Sequence, residues 1–283
     1  MISSQLISPK SIAVIGASAN TTKPGGMVLY NLIQGKFQGK IYAVNPKIIA
    51  IDGVQHVADI NDLPEIDLAI IAIPAHQCLE VVKILIKKKA KAFIVFSAGF
   101  SEAGEIGITL EKELIEIINK ANATLIGPNC VGIINENYKG VFTTPVPEYD
   151  AKGCELISSS GATAVFIMES ALLTGLRFSN IYSIGNAAQT GVEEILEYLD
   201  QNFDKEKSST IKLLYLEQVK KPFKFLKHAT SLIEKGCKIA AIKSGYSEAG
   251  GKLASSLLLQ YTIPHFLNNT LITLSKVAKS PVC

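Results

Sequence analysis

The chain has 283 residues, 48% of them hydrophobic and 19% charged, with a formal net charge of +3. That length suits one large domain or two of ordinary size, and the composition is that of a folded globular protein rather than a disordered one. A charge this near balance leaves no electrostatic footprint for nucleic acid, and the longest apolar runs, such as LAIIAI at 68–73, are too short to cross a bilayer.

The N-terminus lacks a basic segment followed by a uniform apolar core, so no secretory signal is read. Five scattered cysteines without a CxxC pair argue against a zinc site and against a disulfide framework, so no metal is expected and a cytoplasmic setting is. Arg177 is the single arginine. Any anion held here must be gripped by backbone amides and lysine, not by forked guanidinium groups.

SIAVIGAS (11–18) reads as a strand ending in a turn of small residues, and residues 26–36 follow with helical spacing. Further strands are read at 40–46, 68–75, 92–99 and 124–129. Between them, 79–90 and 108–121 place apolar residues three and four apart, as an amphipathic helix does. Alternating strands and helices predict a parallel sheet covered on both faces. A stretch with Pro145, Pro147 and Gly153 breaks the pattern and reads as a linker, taken as 141–153.

The pattern then restarts. Strands are read at 155–162, 180–186, 211–218 and 238–245, and helices at 163–173, 192–200 and 223–236. The expectation is two α/β domains, 1–140 and 154–283. GFSEAG (99–104) and GYSEAG (245–250) echo each other, either as generic strand-to-helix turns or as turns facing a phosphate-like group.

GASANTTKPGG (16–26) has small residues that let a backbone approach an anion, with a helix amino end to follow. It is not G-x-G-x-x-G, because Ser18 stands where the second glycine belongs. The second strand ends in Asn45-Pro46-Lys47 rather than an acidic residue. Lysine there suits a phosphorylated ribose, whether a CoA 3′-phosphate or an NADP 2′-phosphate, or is an ordinary loop lysine.

The ordered set SIAVIGASANTTKPGG, YAVNPK, IAIPA, FSAGFSEAG and IGPNCVG resembles the CoA-binding domain of NDP-forming acyl-CoA synthetases, the family of ADP-forming acetate–CoA ligase and of the succinyl-CoA synthetase α chain. The resemblance implies a Rossmann-like CoA-binding domain followed by a flavodoxin-like one. It implies that Gly16, Ala17, Ser18, Lys23 and Gly25 cradle CoA phosphates, and that Asn45, Pro46 and Lys47 line the 3′-phosphate end. Ile73, Pro74 and Ala75 would flank the adenine or pantetheine path. Ser97, Ala98 and Gly99 would sit at the fourth strand's turn, with Gly127, Pro128 and Asn129 near the thiol. Cys130 reads as a small buried filler.

The resemblance continues through ISSSGATA, SIGNAAQTGVEEILEYL, LLYLEQV and IKSGYSEAGGKLASS. In that family a histidine relays a phosphoryl group to ADP on an ATP-grasp chain or domain. The resemblance implies that Ser158, Ser159, Ser160, Gly161 and Ala162 form a phosphate-binding helix start and that Glu217 orients the histidine. Glu193 and Glu194 fall in the family's second acidic segment. After Ala254-Ser255-Ser256, however, the histidine position is Leu257, and His265 lies outside any motif.

Two other readings stay open: a non-catalytic CoA or acyl-CoA sensor, and an NADP-dependent oxidoreductase, for which no nicotinamide-facing pair is visible. Residues 257–283 contain no Gly, Asp or Glu, where the preceding composition leads one to expect roughly five. The expectation is that this tail is out of frame and the chain a truncated synthetase. Reading the gene beyond codon 256 in the other two frames should reveal a histidine-glycine motif with an ATP-grasp region further on. Its absence from both frames refutes the frameshift.

Overall fold

The computed structural model describes residues 2–47, 50–244 and the strand 271–274. A short helix α1 (Ser4–Ile7) precedes β1 (Ser11–Ile15), α2 (Pro24–Gln34), β2 (Lys40–Val44), β3 (Val54–Val57), β4 (Leu68–Ile71), α3 (Ala75–Lys87), β5 (Ala92–Val95), α4 (Glu105–Lys120) and β6 (Thr124–Ile126). The six strands form one parallel sheet in the order β3-β2-β1-β4-β5-β6. That is the order of dinucleotide-binding folds, with its crevice at the carboxyl ends of β1 and β4. Strands β1, β4 and β5 are apolar along almost their whole length because helices cover both faces. One face packs on α3 and α4 through Val82, Leu85, Leu114 and Ile118, the other on α2 through Val28, Leu29 and Leu32.

The second sheet contains β7 (Gly132–Ile134), β8 (Lys139–Val141), β9 (Tyr149–Ser158), β10 (Phe178–Ser183), β11 (Ile211–Leu216), β12 (Lys238–Lys243) and β13 (Leu271–Leu274). Helices α5 (Gly161–Thr174), α6 (Val192–Gln201) and α7 (Pro222–Glu234) lie between them in sequence. The sheet order is β13-β12-β11-β9-β10-β7-β8. Its centre, β10-β9-β11-β12, is parallel and has the flavodoxin-like order of second, first, third, fourth strand, while β7, β8 and β13 add antiparallel edges.

The structure corrects the expected layout between 130 and 153. The chain enters the second sheet by Gly132, so 132–140 is not part of the first sheet. Tyr149 to Gly153, read as linker, opens β9. Strand β3 was also missed, because it is a four-residue edge strand with no fully buried position.

The two sheets are clasped through buried polar groups. The Tyr138 hydroxyl donates to Leu6 O (2.7 Å) and Asn135 Nδ2 to Ile7 O (2.9 Å). Asn31, on α2, donates to Val141 O (2.7 Å) and Thr143 O (2.8 Å). Each such bond contributes about 1 kcal/mol net, and leaving its partner unsatisfied costs more. One apolar cluster runs through the join, from Ile12 and Leu29 to Ile133, Tyr182 and Leu196.

Candidate functional site

The first turn is built for backbone approach. Gly16 has φ +79°, and a Cβ there would stand 2.5 Å from Ala72 O. Gly25, in the first turn of α2, lies so close that a Cβ would stand 2.1 Å from Gly16 O. The helix amino end can press against the turn only because both positions lack a side chain. Lys23 is the N-cap residue of α2 without a side-chain cap, and Pro24 needs no acceptor.

The turn after β2 is tied to this one. Asn45 Nδ2 donates to Ala17 O (2.8 Å), Lys47 N donates to Asn45 Oδ1 (2.8 Å), and His56 Nε2 lies 2.8 Å from Asn45 O. Pro46 and Lys47 are exposed beside it. Ile73, Pro74 and Ala75 follow β4, Ser97, Ala98 and Gly99 follow β5, and Gly127, Pro128 and Asn129 follow β6. Ser97 Oγ donates to Ile73 O, and Asn129 N donates to Ser97 O (3.0 Å). The expected CoA residues of the first sheet thus form one row along its carboxyl edge.

The row ends at a cavity of about 990 Å³ between the two sheets. Asn129, Ser159, Ser160, Gly161, Ala162 and Glu217 all line it, whereas the turns at 16–18 and 45–47 lie further along the edge and do not. Helix α5 presents its amino end here. Ser160 is the N-cap, its hydroxyl accepting from Thr163 N (3.2 Å). Among the described residues, no acceptor is found for the N–H groups of Gly161 and Ala162, which the helix leaves over. Ser158 is fully buried and its hydroxyl donates to Ser160 O (2.7 Å), so it shapes the turn from beneath. Glu217 is exposed at the end of β11. Leu257, His265 and the 245–250 turn lie outside the described residues.

Sequence reasoning missed the wall on the other side. Asn186 Nδ2 faces Ser101 Oγ (3.2 Å), Glu111 Oε2 (2.9 Å) and Glu102 Oε2. Glu102 Oε1 accepts from Gly99 N (2.6 Å) and Phe100 N (3.2 Å). The glutamate of GFSEAG therefore closes its own turn and ties it to the second sheet's 185–187 loop. Burial disfavours its charge, but hydrogen bonds from Asn186 and the Gly99 amide outweigh that and hold its carboxyl below the usual range. Lys220 Nζ donates to Ala187 O (2.8 Å).

Glu193 accepts from Lys221 N (2.7 Å) and lines the cavity. Glu194 accepts from Gly191 N (2.9 Å) and pairs with Lys221 Nζ (2.7 Å). Burial opposes its ionisation, yet those donors keep its carboxyl low. Cys130 is buried, which pushes its thiol up to about 12 and leaves it unreactive.

Residues 10–136 match the CoA binding domain family, and residues 151–263 match the succinyl-CoA ligase like flavodoxin domain family. The acetate–CoA ligase [ADP-forming] I of Archaeoglobus fulgidus is 37% identical over 256 residues, 89% of this chain and 36% of that protein. The acetate–CoA ligase [ADP-forming] II subunit alpha of Pyrococcus furiosus is 36% identical over 253 residues, 88% of this chain and 53% of that subunit. The chain thus carries a CoA binding domain followed by a succinyl-CoA ligase like flavodoxin domain, and over most of its length it is similar to ADP-forming acetate–CoA ligases.

It spans between about a third and a half of these synthetase relatives. A solved structure from Pyrococcus horikoshii OT3 superimposes with a TM-score of 0.79 at 35% identity, over 89% of this chain and 56% of that one. The dinucleotide forming acetyl-coenzyme A synthetase 1 of Ca. Korarchaeum cryptofilum, solved in complex with phosphate and ADP, gives 0.78 at 28% identity, over 89% and 53%. No helix among the described residues is long and apolar enough to cross a membrane. Those residues hold no cluster of three or more His, Cys, Asp or Glu able to bind a metal.

The close contact of Gly25 with Gly16 makes a direct test. Gly25→Ala should displace the 16–18 turn and lower stability by about 1–3 kcal/mol, the usual cost of overpacking. Thermal denaturation checks this; an unchanged midpoint would show that the helix does not press on the turn.

Proposed function

We propose that this chain is the CoA-binding, α-type portion of an ADP-forming acyl-CoA synthetase, whose overall reaction is acyl-CoA + phosphate + ADP giving acid + CoA + ATP. The observation that carries the reading is the row of carboxyl-edge turns ending at a cavity with the free amides of α5 on its far side. CoA would lie along the row, its phosphates at the Ser18 and Gly25 amides and the Lys23 side chain, since the Gly16, Ala17 and Lys23 N–H groups already donate to Val44 O and Asn20 O, and its 3′-phosphate at Lys47. The thiol end would reach the cavity beside Asn129.

In the first half-reaction a phosphate oxygen adds to the thioester carbonyl, the C–S bond breaks, and CoA leaves as the thiolate while an acyl phosphate forms. The Gly161 and Ala162 N–H groups would hold the phosphate there, as helix amino ends hold anions. Ser159 and Ser160 shape that helix start, and Glu217 stands where the family's glutamate orients its phosphate-carrying histidine. In this sequence that position is Leu257, which cannot accept a phosphoryl group. On this reading the chain binds CoA without completing transfer to ADP, a step needing a histidine and an ATP-grasp partner chain or domain. Leu257 also favours a second reading, a non-catalytic CoA or acyl-CoA sensor. The buried free thiols of Cys78, Cys130, Cys154 and Cys237 suit a cytoplasmic setting.

Calorimetric titration with CoA and with 3′-dephospho-CoA tests the reading. Micromolar binding of CoA, weakened about tenfold or more without the 3′-phosphate, is the expected result. Equal binding of both would remove Lys47 from the site, and no binding to the folded chain would refute the reading.

A further inference from the structure

The second sheet is covered unevenly. Leu214 and Leu216 of β11 and Ile239 and Ala241 of β12 are buried, in one apolar cluster with Phe225, Ala229 and Leu232 of α7. The alternate residues of both strands face the other way. There Ile211 and Ile242 are exposed, and Leu213, Tyr215 and Ala240 are half-buried. A parallel sheet is ordinarily covered on both faces. Among the described residues the helix on this face is α5, packed through Met168 and Ala171 against Leu156, Phe178 and Ile181, with Leu213 at the margin of the contact. Beside α5, the outer face of β11 and β12 is left as the floor of an apolar groove.

Helix α5 itself forms a ridge along this groove. Phe166 is 68% exposed and Leu173 is 91% exposed. They stand seven residues apart, on one side of the helix. Glu169, the one charged residue of α5, is exposed between them. Lys238, on the same side of β12 as Ala240 and Ile242, is exposed at the start of that strand. Neither Glu169 nor Lys238 has an ion pair among the described residues. The ridge therefore carries an acid and the groove a base. A helix cannot fill the groove beside it, but the same helix of another molecule can.

We propose that a second copy of this chain covers this face, each copy laying α5 in the other's groove about a two-fold axis parallel to the strands. Such an axis sets carboxyl edge beside carboxyl edge. Because α5 runs opposite to the strands, Phe166, nearer its amino end, meets Tyr215 and Ile242, and Leu173 meets Ile211. Glu169 reaches Lys238. Each contact occurs twice, as an isologous interface requires. The two α5 helices lie side by side between two sheets, about 8–10 Å apart. Nothing in this depends on the CoA reading.

Sedimentation equilibrium of the full chain at concentrations up to about 100 µM tests the proposal, the expected result being a reversible dimer with a micromolar dissociation constant. Leu173→Glu on the ridge and Ile211→Glu in the groove should each raise that constant about tenfold or more, because each sets an unpartnered charge in an apolar contact. Circular dichroism reports that these variants of exposed positions are folded. Glu169→Lys should weaken the dimer about fivefold or more, and adding Lys238→Glu should restore it to within about twofold. A chain that stays monomeric would overturn the proposal. Slow maleimide labelling of Leu173→Cys in that monomer would then assign the face to the chain's own residues outside those described, and fast labelling would show it bare. A dimer indifferent to both the ridge and the groove substitution would overturn the surface, and failure of the charge exchange to restore association would overturn the axis.

Discussion

The loop at 184–190 is laid along the segment at 123–129, and the cavity exists because of that contact. Asn186 N donates to Pro128 O and Ala188 N to Gly127 O. Gln189 accepts from Leu125 N (2.7 Å) and donates to Asn119 Oδ1 (2.7 Å) and Ala123 O (3.0 Å). Gly185, at φ +54°, allows the approach, since a Cβ there would stand 2.3 Å from Pro128 O. The carboxyl edge of one sheet is thereby fixed opposite the amino end of α5 on the other. On the proposed reading, neither sheet alone would hold both the pantetheine and the phosphate.

Charge is handled consistently with a chain that has one arginine. Arg177, the residue before β10, is exposed and does not line the cavity. A helix amino end attracts an anion by roughly 0.3–1 kcal/mol, more where water is partly excluded, and on the proposed reading those of α2 and α5 would do so here. Lysines near the cavity are bound to the protein's own groups: Lys220 to carbonyls, and Lys221 and Lys224 to Glu194. Through these bonds they position loops.

Much of this was readable from the residues. Apolar runs such as 92–95 and 211–216 declare their strands locally, and the turns after them carry the motifs. Those turns could be placed on one sheet edge because a parallel sheet puts every strand's carboxyl end on the same side. Strands β7 and β8 were not readable. They are three residues each; β7 is held by pairing with β10, about fifty residues on, and β8 by pairing with β7. Asn186, Glu102 and Glu111 escaped notice for the same reason: their meeting is set by the docking of two sheets, not by spacing along the chain. Glu102 carried a local signal in the repeated SEAG motif, but its role as a clasp for the 97–100 turn needed the coordinates.

The central claim is that one ligand spans both sheets, from the 45–47 turn to the α5 amino end. A crystal structure of the chain with CoA bound tests it most directly. Density with the 3′-phosphate at Lys47, the diphosphate on the 16–18 turn and the thiol beside Asn129 in the cavity is the expected result. A CoA bound to the first sheet with its thiol directed away from the cavity, or bound elsewhere on the surface, would contradict it.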